Sequence, residues 1–249
     1  MKAVRGALIA SAMILVSCSS TRQVADLGFR PPEGSYKLIV MRPDVSVGLL
    51  TAGGIVEPRD DWTDAARTNV LQAIATRQTG HGGVTTVAAT RAEAGGDAVA
   101  LAELDRLHTA VGTTIQAHKY TPLTLPTKAG TFDWTLGEPA VAYGKATGYD
   151  YALFFHARDS FSSSGRVALQ AVAFMGCMVG VCVMPSGGQQ AAFASLVDLH
   201  TGRVVWFNVR TSTVGDMRTA DGADKVVAGL LDKMKTGASL QGKKVAVRE

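Results

Sequence analysis

His156, Asp159 and Ser160 are the residue types of nucleophilic hydrolysis, gathered within one short stretch. Their spacing argues against that chemistry. On a strand, His156, Arg158 and Ser160 face one way and Asp159 the other, so no local relay forms. The chain also lacks the Gly-x-Ser-x-Gly elbow that presents a nucleophilic serine. The stretch reads instead as a polar strand end running into the loop Ser160-Phe-Ser-Ser-Ser-Gly165. Gly237-Ala-Ser-Leu-Gln-Gly242-Lys243 matches most of a phosphate-binding loop. Lys244 stands where a magnesium-holding Ser or Thr is needed, and the segment follows a helix, whereas a phosphate cradle lies between a strand and a helix N-terminus. His81, His108, His118 and His200 have no metal-ligand spacing. His108 falls on an apolar stripe and reads as a hydrogen-bonded, half-buried side chain. Asp60, Asp61 and Asp64 could hold a cation, but a helix start explains them more cheaply. These residues give an expectation of no catalytic, metal or cofactor site.

The three cysteines say more. Cys18 follows Leu15-Val16-Ser17, an apolar run from Ala7 and a basic start with Lys2 and Arg5. A basic start, a short apolar core and small residues before a cut make a secretory signal, and this core is too short to span a bilayer. Leu15-Val16-Ser17-Cys18 resembles the lipobox of bacterial lipoproteins. The resemblance implies diacylglyceryl transfer to the Cys18 thiol, cleavage before it and acylation of the new amino terminus, with palmitate among the usual chains. Ser19 follows, where an aspartate would imply retention at the inner membrane, so the expected address is the periplasmic side of the outer membrane. Cys177 and Cys182 then lie in an oxidising compartment, where a disulfide is permitted.

The chain has 25 Lys and Arg against 21 Asp and Glu; loss of Lys2 and Arg5 with the signal leaves a net charge of +2. Without a dense basic cluster, nucleic acid is excluded as a partner. The expected organisation is a signal over 1–17, a lipidated tether over 18–35 containing Pro31-Pro32, and one domain over 36–249.

Hydropathy patterning gives the elements. Tyr36 to Met41 reads as a strand interrupted by Pro43, with Val45 to Leu50 continuing it or forming a second. Asp60 opens a helix in which Trp62, Ala66, Val70 and Ile74 form one stripe. Val84 to Ala88 reads as a strand. Asp97 caps a long helix with Leu101, Leu104, His108, Val111 and Ile115 at alternating spacings of three and four. Pro139 starts a helix that Gly148 closes. Tyr149 to Ala157 is a strand. Ala191–Leu199 and Arg203–Thr213 alternate as a hairpin around His200-Thr201-Gly202. Asp221 caps a last helix with Val227, Leu230, Leu231 and Met234 on its apolar side. That order implies an α/β fold, a mixed sheet sandwiched by helices, with a C-terminal hairpin followed by a helix.

Ser195-Leu-Val-Asp-Leu-His-Thr-Gly-Arg-Val-Val-Trp206 resembles the late hairpin of the TolB N-terminal-like fold of CsgG-like, LpoB-like and related bacterial lipoproteins. Gly148-Tyr-Asp-Tyr-Ala-Leu-Phe154 resembles the helix-to-strand entry of the same fold. The likeness spans Tyr149 to Thr213 and, earlier, only the order of elements. It implies an envelope lipoprotein and brings no catalytic residues.

Val167 to Met184 has Gln170 as its only clearly polar residue and includes Gly176-x-x-x-Gly180. Three placements compete: buried across the domain, exposed as a contact surface, or membrane-inserted. A spanning helix would split the sheet, and a pore-forming hairpin needs alternation. Both points favour burial. If the run is an unbroken helix, Cys177 and Cys182 lie about 140° apart around it and cannot bridge. A tight hairpin there would permit the bond.

The expected function is a lipid-anchored, non-enzymatic binding or scaffolding module. Its partners are the membrane, through Cys18, and an envelope protein or further copies of itself. The runner-up is an oligomeric component of an envelope secretion or transport assembly; a third reading, an envelope hydrolase, needs a pocket that joins residues the spacing keeps apart.

Overall fold

A computed structural model describes residues 20–25, 36–78, 84–88, 90–128, 130–211, 215–231 and 234. The expected α/β architecture is what forms. The strands are β1 (Ser20–Ala25), β2 (Lys37–Val40), β3 (Asp44–Leu50), β4 (Val56–Pro58), β5 (Val84–Val87), β6 (Tyr151–Ser162), β7 (Gln190–Asp198) and β8 (Val204–Thr211). The helices are α1 (Asp60–Gln78), α2 (Arg91–Ala94), α3 (Ala98–Tyr120), α4 (Gly137–Thr147), α5 (Ser164–Met178) and α6 (Ala220–Leu231). They build one mixed sheet in the order β1-β8-β7-β6-β2-β5. β2 and β3 pair in succession with the same long strand, β6, both in parallel. Pro43, which lacks an N–H for the ladder, separates them.

Alternation along β6 divides the core. Leu153, Phe155 and Ala157 face one layer with Ala66, Val70 and Ile74 of α1 and Val226, Val227 and Leu230 of α6. Ala152 and Phe154 face the other, with Leu101, Leu104 and Ile115 of α3 and Ala140 and Tyr143 of α4. The stripes read from helical spacing are therefore the buried faces of α1 and α3. Asp97 caps α3 by accepting from the backbone N–H groups of Val99 and Ala100 at 3.1 and 2.8 Å. At α6 the cap lies earlier than Asp221: the Thr219 hydroxyl accepts from the Gly222 N–H at 3.2 Å.

Part of the stretch expected as a tether is a strand. Ser20–Ala25 pairs antiparallel with β8 over six residues, from Ser20 opposite Thr211 to Ala25 opposite Trp206. Polar residues in this segment gave no apolar alternation to read. β6 is also longer than expected, because β3 pairs along its second half as far as Ser162.

The register defines two ends of the sheet. Ser20, Thr211, Ala191, Arg158 and Ser46 lie in one row across β1, β8, β7, β6 and β3. Beyond that row lie the β3–β4 turn and the connection from β6 to β7, which contains α5. At the opposite end is the β7–β8 turn at His200-Thr201-Gly202. Gly202 there has φ of 72°, and a Cβ on it would meet the Gly137 carbonyl oxygen at 2.5 Å.

Candidate interaction surface

The β6–β7 connection is an arm that the domain does not bury. Its base is fixed. The Ser163 hydroxyl caps α5 by accepting from the Arg166 N–H at 3.2 Å. The buried Arg166 guanidinium donates to the carbonyls of Ser186 (2.9 Å) and Ala52 (3.1 Å) and to the Ser186 hydroxyl (3.2 Å). It thus clamps both legs of the arm to the β3–β4 turn. Beyond Arg166 no residue of α5 is buried. Phe174 is 60% exposed, Met178 77% and Val179 81%, and Val167, Val172, Met175, Val181 and Val183 are exposed with them. Ile55 and Val56 add exposed apolar surface from the adjoining turn.

Burial, the placement favoured from the sequence, is therefore overturned. Both faces of the sheet are already covered, by α1 and α6 on one side and α3 and α4 on the other, which leaves no core for this run to enter. Among the described residues no helix is long and apolar enough to cross a membrane.

The helical outcome at the cysteines is corrected as well. α5 stops at Met178. Gly180 takes φ of 94°, and the N–H groups of Val179 and Val181 both return to the Gly176 carbonyl, at 3.1 and 3.0 Å. This turn brings the Cys177 and Cys182 Cα atoms to 4.0 Å, and a disulfide joins them. Glycine permits the left-handed turn, and valines weaken helix propensity around it. The return leg is held against α5 by Gln170, whose amide donates to the Pro185 carbonyl at 3.2 Å. From Val167 to Gln189 the sequence has no charged residue.

The residues considered for hydrolysis do not converge. His156 Nδ1 lies 2.9 Å from a carboxylate oxygen of Asp44, in β3. Asp159 points to the opposite face and accepts from the Gln190 amide at 2.7 Å. The Ser160 hydroxyl donates to the Gln189 carbonyl at 3.2 Å. A serine–histidine pair that the sequence did not signal does form, between Ser195 Oγ and His108 Nε2 at 2.5 Å. Both residues are buried, and the His108 ring stacks on Phe154 at 4.2 Å. Burial pushes the His108 pKa down to about 3, with the His156 charge adding to the effect. A neutral histidine sealed beneath phenylalanine rings ties α3 to the sheet; no substrate reaches it.

The other histidines have local roles. His118 Nδ1 accepts from the Leu125 N–H at 2.8 Å, and His200 lies 3.0 Å from Asp150. Asp61 pairs with Arg59 and Asp64 with Arg67, and no metal-binding group occurs among the described residues. His81, the phosphate-loop-like segment from Gly237 and Cys18 lie outside the described residues.

Two open clefts lie among the described residues. One, of about 380 Å³, is lined by Asp159, Ser160, Gly188, Gln190 and Asp216 and lies at the foot of the arm. Burial pushes the Asp159 pKa up to about 6, the Asp216 charge adding to the rise against the Gln190 hydrogen bond. The other, of about 440 Å³, gathers Arg42, Arg67, Arg106 and Arg158 around Asp44 and Asp105. Burial alone would raise the Asp44 pKa; hydrogen bonds from His156 and Arg158, with the charges of both, outweigh it and hold the carboxyl below its usual range. The arginines are internally neutralised in part, since Arg158 chelates Asp44 at 2.9 and 3.0 Å and Arg67 reaches Asp64 at 2.6 Å.

No protein-family model matches the sequence. A search of curated proteins likewise finds no match. Solved structures align at low similarity. The PelC dodecamer from Paraburkholderia phytofirmans has 11% identity and a TM-score of 0.36, over 85% of this chain and 96% of that one. The LpoB C-terminal domain from Salmonella enterica has 15% identity and a TM-score of 0.27, over 75% and 87%. Lipoprotein GNA1162 from Neisseria meningitidis has 12% identity and a TM-score of 0.30, over 78% and 93%. Superpositions at this level transfer neither family nor activity.

Proposed function

We propose that the protein is a lipid-anchored component of a bacterial cell envelope, a non-enzymatic binding or scaffolding module on the periplasmic side of the outer membrane. The observation that carries the reading is the disulfide-closed, charge-free arm. A disulfide persists in oxidising compartments, which suits export. An apolar projection this continuous is a contact element, since soluble monomers rarely expose one. The lipobox-like Leu15-Val16-Ser17-Cys18 supplies the anchor, and the buried His108–Ser195 pair offers no reactive alternative.

The test is acyl labelling with membrane fractionation. The full chain incorporates labelled palmitate and sediments with membranes. Cys18→Ser incorporates none and is released or retains its signal. A Cys18→Ser protein that is still acylated and membrane-bound refutes the anchor. The same arm favours a second reading, an oligomeric component of a secretion or transport assembly, if copies of the chain cover it; light scattering of the detergent-solubilised protein separates the two.

A further inference from the structure

β1 starts at Ser20, in the row that passes through Thr211 and Ala191 to Arg158 of β6. β1 runs away from that row, towards Trp206 and the β7–β8 turn. β1 therefore begins at the end of the sheet that carries the arm. Cys18 precedes Ser20 by two residues, so chain geometry keeps it within about 7 Å of Ser20. Three strand spacings, about 14 Å, separate β1 from β6. The lipid attachment point and the root of α5 thus share one end of the sheet, while His200 lies at the other.

We propose that the α5 arm is a second membrane contact: it seats the domain on the lipid surface to which Cys18 is anchored, with the disulfide-closed tip in the headgroup–acyl boundary. The inference rests on the lipid-anchor reading and deepens it. Three observations select lipid over a second copy or another protein. The first is that the arm and the anchor share an end of the sheet. The second is the exposed surface of α5: Val167, Leu169, Val172, Phe174, Met175 and Met178 spread over more than half of its circumference, and Gln170 is turned onto the return leg, whereas a helix docked on a protein keeps a solvated face. The third is the absence of charge from Val167 to Gln189, where a protein interface carries a polar rim.

Dimensions set the depth. Fifteen residues of helix are about 22 Å long, short of the roughly 30 Å hydrocarbon core, so α5 cannot span the bilayer. Its tip is built for that environment, because the N–H groups of Val179, Gly180 and Val181 are all paired within the turn. The non-helical return leg keeps the arm at the boundary, where water still reaches backbone groups.

The test uses the mature, full chain purified from membranes and reconstituted in phosphatidylcholine vesicles, with and without lipids brominated in the acyl chains. Phe174→Trp places a reporter on the arm, and His200→Trp places one at the far end. Wild-type emission from Trp62, Trp134 and Trp206 is subtracted. Mass spectrometry of the same samples records acylation of Cys18. The expected result is an acylated Cys18, roughly twofold or greater quenching of the position-174 emission by brominated lipid, and none at position 200. Acylated protein whose position-174 reporter is unquenched overturns the inference and leaves the anchor standing. Blue-shifted but unquenched emission does the same and assigns the arm to a second copy. Unacylated Cys18 overturns the anchor reading, and the inference with it.

Discussion

Asp159 is a carboxyl that the fold disfavours in its charged form. It is 6% exposed, and burial pushes its pKa up to about 6 against the hydrogen bonds from the Gln190 amide and the Ser160 backbone. In the unfolded chain the same group titrates near its ordinary value of about 3.9. Between those two values the native state holds a proton that the unfolded state has lost, so this group's contribution to stability falls as pH rises through the window. Asp159→Asn keeps an oxygen for the Gln190 amide and removes the charge. The variant is expected to be more stable than the parent by about 1–2 kcal/mol at pH 8 and equal to it near pH 4. Thermal melts of both proteins at the two pH values check this, and a variant less stable at pH 8 would show that the carboxylate is needed charged. Asp44 has the opposite sign: its folded pKa is lowered, so it stabilises above its unfolded value and loses that contribution on acidification. Comparing Asp159→Asn with the parent at each pH cancels the Asp44 and His108 titrations common to both.

The arm is an element whose order depends on its own clamps. The Cys177–Cys182 bridge closes a short turn in which no residue is buried, and the Arg166 clamp fixes only the base. Replacing both cysteines by serine should therefore shift the melting temperature by only about 2 °C or less, since global unfolding is governed by the two cores. Limited proteolysis should instead show faster cleavage within 176–184 than in the oxidised parent. A large global destabilisation would mean that the arm packs on the domain after all. The reasons the sequence misled here are physical. Apolar content predicts removal from water but does not name what removes it, and a run buried in its own domain and a run left exposed as a contact surface are written alike. Periodic elements were legible: α1 and α3 carry the single apolar stripe of helices with one wet face, and β6 and the β7–β8 hairpin read as strands although both of their faces are buried. The disulfide was not, because it depends on where α5 ends, and Gly180 with its positive φ decides that locally. The His108–Ser195 pair joins α3 to β7 across 87 positions, a contact that no local pattern encodes.

At the scale of the whole molecule, β1 makes part of the stretch expected as a tether a strand of the sheet. Without it β8 is an edge strand, and its seven residues from Val204 to Arg210 are buried. An unpaired edge of that kind invites pairing with another chain. A chain beginning at Ser19 and one beginning at Tyr36 should therefore differ, although both retain the two cores. The shorter chain is expected to melt at a lower temperature and to self-associate as its concentration rises, while the longer stays monomeric. Both chains should carry Phe174→Asp and Met178→Asp, so that arm-mediated contacts do not mask edge pairing. Light scattering coupled to sizing gives the mass, and a thermal melt gives the stability. Identical masses and melting temperatures would show that β1 adds nothing to the sheet. In that event Cys18 would be joined to the domain through a free linker, and the shared end of anchor and arm would no longer follow from the register. A difference in both would mean that pairing along β8 holds the chain to the sheet from Ser20 onward; a lipid on Cys18, as proposed, would then lie two residues from the sheet, with little slack for the domain to turn its arm away.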